Sequence, residues 1–219
     1  MQPLTESRWQ FLPQSEWPSD DEVVAIGADL EPDTVLYAYA HGMFPMYVDK
    51  KSRMLGWWSP LERGVIPLDG FRMTRSLRSS AQQFECTIDT AFVRVMKECA
   101  TARTDGNWIN QEFIDAYTTL HEMGHAHSVE VWNKNGELVG GLYGLRINGF
   151  FAGESMFHRE TDASKVALMH LVDLMNLDGM QLLDTQWNTD HLSSLGCTSV
   201  PRPEYLALLA IAIVPSPIS

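Results

Sequence analysis

Two Asn-Gly pairs, at residues 135–136 and 148–149, constrain this chain more than any other feature. They separate three runs rich in apolar residues: SVEVWN, ELVGGLYGLRI and FFAGESMF. Asn-Gly tolerates the positive φ angles of the type I′ turn, whose twist matches that of two paired strands. The three runs are therefore expected as an antiparallel meander with two tight hairpins. The glycines of GGLYGL then fall inside a strand and not in a phosphate-binding loop before a helix.

The flanks read as helices with a few further strands. Asp33 is expected to cap TVLYAYAH, which Gly42 stops. The stretch FPMYVDKKSRMLGWWSP is too irregular for a regular element. FRMTRSLRSS is basic and helical towards its end, and Phe84 to Ile88 suits a short strand. Asp89 or Thr90 caps DTAFVRVMKECA. Asn110 caps QEFIDAYTTLHEM, where Phe113, Ile114, Tyr117 and Leu120 share one stripe and Gly124 ends the helix. Beyond the meander, Thr161 or Asp162 precedes the helix ASKVALMHLVDLMNLD, which Gly179 closes. A buried strand MQLLDTQ, a turn DHLSSLG, an apolar helix PEYLALLAIAI and a loose tail VPSPIS complete the chain. The sum is an α+β fold with helices packed on a central sheet.

Composition matters where it excludes. No apolar run approaches the roughly 20 residues that cross a bilayer, and the start MQPLTESRWQFLPQ lacks a signal layout. Cys86, Cys99 and Cys197 are scattered and odd in number, which suits a reducing cytoplasm. The net charge of −12 argues against nucleic acid as a partner unless a local basic patch exists.

Residues 121–125 spell HEMGH, the H-E-x-x-H pattern of zinc proteases. Such a site needs both histidines on one helix face and a third ligand. Gly124 stands between His121 and His125, a strand begins almost at once, and neither His127 nor His158 has a recognisable third-ligand spacing. The pattern is read as a helix C-terminus, with no metal.

Four segments carry a different signal: GWWSPLERGVIP (56–67), NWINQEFIDAYTTLHEMGHAHSVEVW (107–132), ELVGGLYGL with FAGESMF (137–157), and LLDTQWNTDHLSSLG (182–196). In this order the chain resembles the bacterial leucyl/phenylalanyl-tRNA–protein transferases, from about Ile26 to Tyr205. The resemblance implies a small N-terminal α+β domain (1–64) and a GNAT-like acyltransferase domain (65–219). It implies a cofactor-free reaction, and a monomer is expected. Leucine or phenylalanine passes from aminoacyl-tRNA to a protein's N-terminal arginine or lysine, marking that protein for degradation.

The residues suit that chemistry. An aminoacyl ester is already activated, so the enzyme must orient a neutral α-amine and stabilise an oxyanion. Glu154 and Asp184 follow apolar strand residues. By resemblance, Glu154, Asp184 and Gln186 form the catalytic centre, with Asp184 orienting the amine or serving as base and Gln186 positioning; the proton path stays open. Strand alternation would point Asp184 and Gln186 into one pocket. Without the resemblance, both carboxylates would read as buried ion pairs with Arg146 or Arg159. Leu142, Phe151, Met156, Leu168, Leu171 and Leu183 match the family's amino-acid socket.

For tRNA, Arg72, Arg75 and Arg78 recur every third residue, with Arg63 upstream, and would make a basic helix edge. Trp108 matches a family residue that stacks on the terminal adenosine. Met46 stands where the family typically has tryptophan, with Tyr47 beside it. Trp57 and Trp58 are expected to pack the two domains together. Two other readings are an acyl-CoA-dependent acyltransferase, for which no pyrophosphate loop is found, and a tRNA-binding module, which leaves Asp184, Gln186 and the socket without purpose.

Overall fold

The computed structural model describes residues 7–49, 53–102 and 108–215. Residues 1–6, Asn107 and the expected tail residues 216–219 lie outside that description.

Elements follow in chain order as β1 (Val23–Ile26), α1 (Pro32–Ala40), β2 (Phe44–Asp49), β3 (Met54–Trp58) and β4 (Glu62–Ile66). Next come α2 (Arg75–Ala81), β5 (Glu85–Ile88), α3 (Phe92–Ala102), α4 (Gln111–Glu122) and β6 (Ala126–Trp132). The chain continues with β7 (Leu138–Ile147), β8 (Phe150–His158), α5 (Ala163–Leu177), β9 (Leu182–Gln186), α6 (Asp190–Ser194), β10 (Thr198–Pro201) and α7 (Arg202–Ala212). They build a mixed α+β molecule with two sheets. The first has the order β1-β3-β2, and the second β10-β4-β9-β8-β7-β6-β5.

β6, β7 and β8 pair antiparallel as expected, but neither turn is a type I′ turn on its Asn-Gly pair: only Gly136 of the first pair and only Asn148 of the second adopt positive φ. Alternate residues along these strands feed separate cores. Tyr143, Leu145 and Phe150 join α3 and α4 in one cluster, while Leu142 and Phe151 join α5 in the other. Gly140 lies in β7 where α5 starts: a Cβ there would sit 2.5 Å from that of Ala163. Close packing, not phosphate binding, accounts for glycine at this position.

Several expectations need correction. Residues 44–49 and 54–58, read as irregular, form a β-hairpin-like pair with β1 alongside. Residues 50–52 between them lie outside the description. α1 begins at Pro32 after Glu31, so Asp33 is inside the first turn and is not the cap. α2 begins only at Arg75, capped by the Thr74 hydroxyl, so Arg72 precedes it. Asp89 accepts from Ser128 N and is bonded to His127, which ties it to β6. β4 and β10 had no anticipated counterpart. β4 is already paired in the large sheet from Glu62, so the change of sheet falls between Trp58 and Glu62.

Several side chains tie that junction together, Glu22 among them, accepting from Leu61 N and Trp187 Nε1. Arg202, buried at the start of α7, donates to the carbonyls of Pro18, Asp21, Ser59 and Pro60. Trp58 also crosses it, lying edge-on to Trp187 at 6.0 Å, as expected of a packing residue. Trp57 lies edge-on to Phe11 at 5.3 Å. It is fully buried, and its Nε1 donates to Gly27 O within the smaller sheet's surroundings.

Candidate active site

The site lies where β8 and β9 part. They are parallel neighbours paired at only three positions, Phe150–Leu182, Phe151–Leu183 and Ala152–Asp184. The ladder between β7 and β8 shifts register past Gly153, with Glu154 as the extra residue. β9 ends at Gln186 with φ +60, a left-handed conformation unusual for a residue other than glycine. Gly64 of β4 permits that ending, because a Cβ there would lie 2.6 Å from the Trp187 carbonyl carbon. A cavity of about 220 Å³ opens in the gap.

Its floor is apolar. Leu142, Met156, Leu168, Leu171 and Leu183 line it, five of the six residues expected for a side-chain socket. The sixth, Phe151, lines a neighbouring cavity instead, which shares Leu171 with the first. Trp108 and Met46, both half-buried, line the first cavity as well. Trp108 packs edge-on against Phe113 at 5.2 Å, and Tyr47 does the same at 5.4 Å. The Tyr47 hydroxyl is tied to Glu112 and Asn110 at 2.8 Å each.

Glu154 and Gln186 supply the polar wall. Gln186 Nε2 donates to Glu154 Oε1 at 3.0 Å, and the Tyr39 hydroxyl donates to the same oxygen at 2.6 Å. The Tyr117 hydroxyl lies 2.6 Å behind that of Tyr39. Burial pushes the Glu154 carboxyl up to about 7, Tyr39 pulling it back and the Asp184 charge adding to the rise. Among the described residues, Glu154 is the one carboxylate that lines this cavity.

Asp184 sits behind the wall and is inaccessible to solvent. Arg63 grips both its oxygens, Nε to Oδ1 at 2.8 Å and Nη2 to Oδ2 at 2.6 Å. The Tyr205 hydroxyl donates to Oδ2, and Gln186 N to Oδ1. The Arg63 guanidinium lies over the rings of Phe44 and Tyr205 at 4.7 and 4.4 Å. Burial opposes its charge, but Asp184 overcomes that and raises its pKa. Asp184 and Gln186 therefore do not point into one pocket, since the positive φ at Gln186 breaks strand alternation. Nor do Arg146 and Arg159 pair with the site carboxylates. They bond Asp178 and Glu98.

The remaining expected residues are dispersed. Arg72, Arg75 and Arg78 are exposed. Arg72 Nη1 reaches the Ser193 carbonyl of α6, and α6 contributes Leu192 to the cavity wall. Arg63 cannot join them, because only 1 % of its side chain is exposed. In HEMGH, His121 is on α4, whereas His125 follows Gly124 (φ +80) in the turn before β6. Tyr39, Tyr117 and Tyr205 were not anticipated. Their hydroxyls became meaningful only once distant elements met.

The sequence pattern of the leucyl/phenylalanyl-tRNA protein transferase family matches residues 65–210, and that of the family's N-terminal domain matches residues 28–61. Two relatives bear the name leucyl/phenylalanyl-tRNA–protein transferase. That of Rhizorhabdus wittichii is 48% identical over 188 residues, 84% of this chain and 75% of its own. That of Syntrophobacter fumaroxidans is 45% identical over 205 residues, 91% of this chain and 86% of its own. With both patterns matched and identity of this extent, the chain belongs to the leucyl/phenylalanyl-tRNA–protein transferase family.

Proposed function

We propose that this protein transfers leucine or phenylalanine from aminoacyl-tRNA to the N-terminal arginine or lysine of acceptor proteins, and so marks them for degradation. One observation carries the reading: a single cavity joins an apolar socket, a Glu154–Gln186 pair and an aromatic side chain, Trp108. The amine nitrogen attacks the ester carbonyl carbon, and the tetrahedral centre collapses by breaking the bond to the ribose oxygen. The proton lost by nitrogen ends on that oxygen. The ester is activated, so the step needs no cofactor.

In this scheme the socket takes the leucyl or phenylalanyl side chain. Met156 gives it the adaptability that two shapes demand. Trp108 stacks on the terminal adenosine, Met46 forming the other side of the clamp. Gln186 aligns the reacting groups. Glu154, ionising near neutrality, pairs with the acceptor's cationic side chain. Asp184 is a positioning residue, acting through the Gln186 backbone and Arg63. Arg72, Arg75 and Arg78 offer the local positive surface that a strongly acidic protein needs to meet phosphates.

The fold we assign is GNAT-like, supported by the parallel β8–β9 pair that opens into a cleft. Two domains meeting at residues 59–61, a monomeric state and a cytoplasmic location complete the proposal. The three free cysteines suit a reducing compartment, and among the described residues no helix is long and apolar enough to cross a membrane. Acceptor selectivity tests the scheme. The unmodified enzyme should prefer peptides beginning with Arg or Lys over Ala, and Glu154→Gln should erase most of that preference. Undiminished preference in the variant would remove Glu154 from the acceptor site.

A further inference from the structure

Ser155 is a serine without an obvious reason to be polar. The residue is only 8% exposed, and its Oγ has no hydrogen-bond partner among the described residues. A buried hydroxyl left unpaired is costly, and such groups in a native fold call for an explanation. Ser155 also lines the cavity, between Glu154 and Met156 on β8.

Its position indicates which part of a ligand it faces. Ser155 is opposite Tyr143 in the β7–β8 register, while Met156 is opposite Leu142. Directly opposed residues of an antiparallel pair share a face. Tyr143 packs edge-on against Phe92 of α3 and Tyr117 of α4. Leu142 and Met156 instead belong with Leu168 and Leu171 of α5, the side of the apolar socket. Ser155 therefore belongs to the sheet face covered by α3 and α4. Trp108 reaches the cavity from that side, packed on Phe113 of α4.

Resting on the proposed transfer reaction, we propose that Ser155 Oγ hydrogen-bonds the ribose hydroxyl next to the ester on the terminal nucleoside of the charged tRNA. A hydroxyl both donates and accepts, so it matches another hydroxyl in either sense. The contact fixes the sugar between the Trp108 stack and the socket. The ester carbonyl is thereby held against the Glu154–Gln186 wall.

The test pairs Ser155→Ala with a change in the substrate. Leucine is carried on the 3′ oxygen of tRNA ending either in adenosine or in 2′-deoxyadenosine, and kcat/KM is measured for both enzymes. The altered sugar changes the ester's own reactivity equally for both enzymes, so the cycle cancels it. With the ribose substrate, Ser155→Ala should lose roughly five- to tenfold, the usual effect of one hydrogen bond. With the deoxy substrate it should lose less than about twofold. The melting temperature should hold or rise, because an unpaired buried hydroxyl has been removed. Ser155→Cys, of similar volume, should follow the alanine variant. Equal losses on both substrates, or no loss on either, would overturn the assignment. So would a falling melting temperature without change in the ribose-to-deoxy ratio. If the unmodified enzyme transfers from neither substrate, the transfer reading itself fails and this assignment falls with it.

Discussion

Separating the Arg63–Asp184 pair should damage folding and transfer in different ways. The pair is buried at both ends and doubly hydrogen-bonded. Replacing one partner leaves an uncompensated charge, which costs about 3–5 kcal/mol. For a chain of this length each kcal/mol lowers the melting temperature by roughly 2–4 °C, so Arg63→Met or Asp184→Leu should lose about 6–20 °C. The double variant removes both charges. It still orphans the Tyr205 hydroxyl and the Gln186 amide, each worth about 1–3 kcal/mol, but should be more stable than either single variant. Transfer should remain low in all three: Asp184→Leu and the double variant lose the carboxylate that fixes the left-handed backbone of Gln186, and Arg63→Met frees that carboxylate from the guanidinium that holds it in place. Thermal melts followed by circular dichroism read the first quantity and single-turnover transfer the second. A double variant as unstable as the sum of the singles would refute the coupling. Full transfer activity without Asp184 would refute its positioning role. Any Asp184 replacement thus strains the fold, contrary to what an exposed catalytic carboxylate would lead one to expect.

Two further outcomes follow from the site. Glu154 is shifted upward to about 7 from 4.5, so the native state holds its proton after the unfolded chain has released it. Stability from this group is greatest below pH ~4.5, declines as pH rises to ~7 and is level above, a span on the order of 3 kcal/mol that Glu154→Gln should flatten; denaturant melts across pH 4–8 measure it, and an unchanged profile would contradict the shift. For tRNA binding, removing Arg72, Arg75 or Arg78 should each lower the slope of log affinity against log salt by roughly 0.7–0.9. Trp108→Ala should weaken binding by about 1–3 kcal/mol at unchanged slope, and Met46→Trp should strengthen it. Slopes unchanged in every arginine variant would place the tRNA surface elsewhere.

What was legible in the sequence follows the range of the forces involved. The β6–β8 meander and the Asn110 cap are local, since Asn-Gly turns and a capping amide act within a few residues. The cavity-lining leucines were legible through resemblance, as a set. β4 and β10 were not, because each is short, flanked by prolines or glycine, and stabilised by partners far along the chain. Arg63 was misread for a similar reason. Sequence shows a cation near other arginines, but only the fold places it under Asp184 between two rings. Strand periodicity gave Asp184 and Gln186 one direction, and a single positive φ separated them. Ser155 carried no sequence signal beyond its place in GESMF.

The most direct measurement is mass spectrometry of a peptide beginning with arginine, after incubation with this protein and leucyl-tRNA, phenylalanyl-tRNA or acetyl-CoA in separate reactions. The peptide should gain one leucine or phenylalanine residue on the α-amine of its arginine and no acetyl group. An unmodified peptide with both charged tRNAs, or an acetylated one with acetyl-CoA alone, would contradict the proposed transfer.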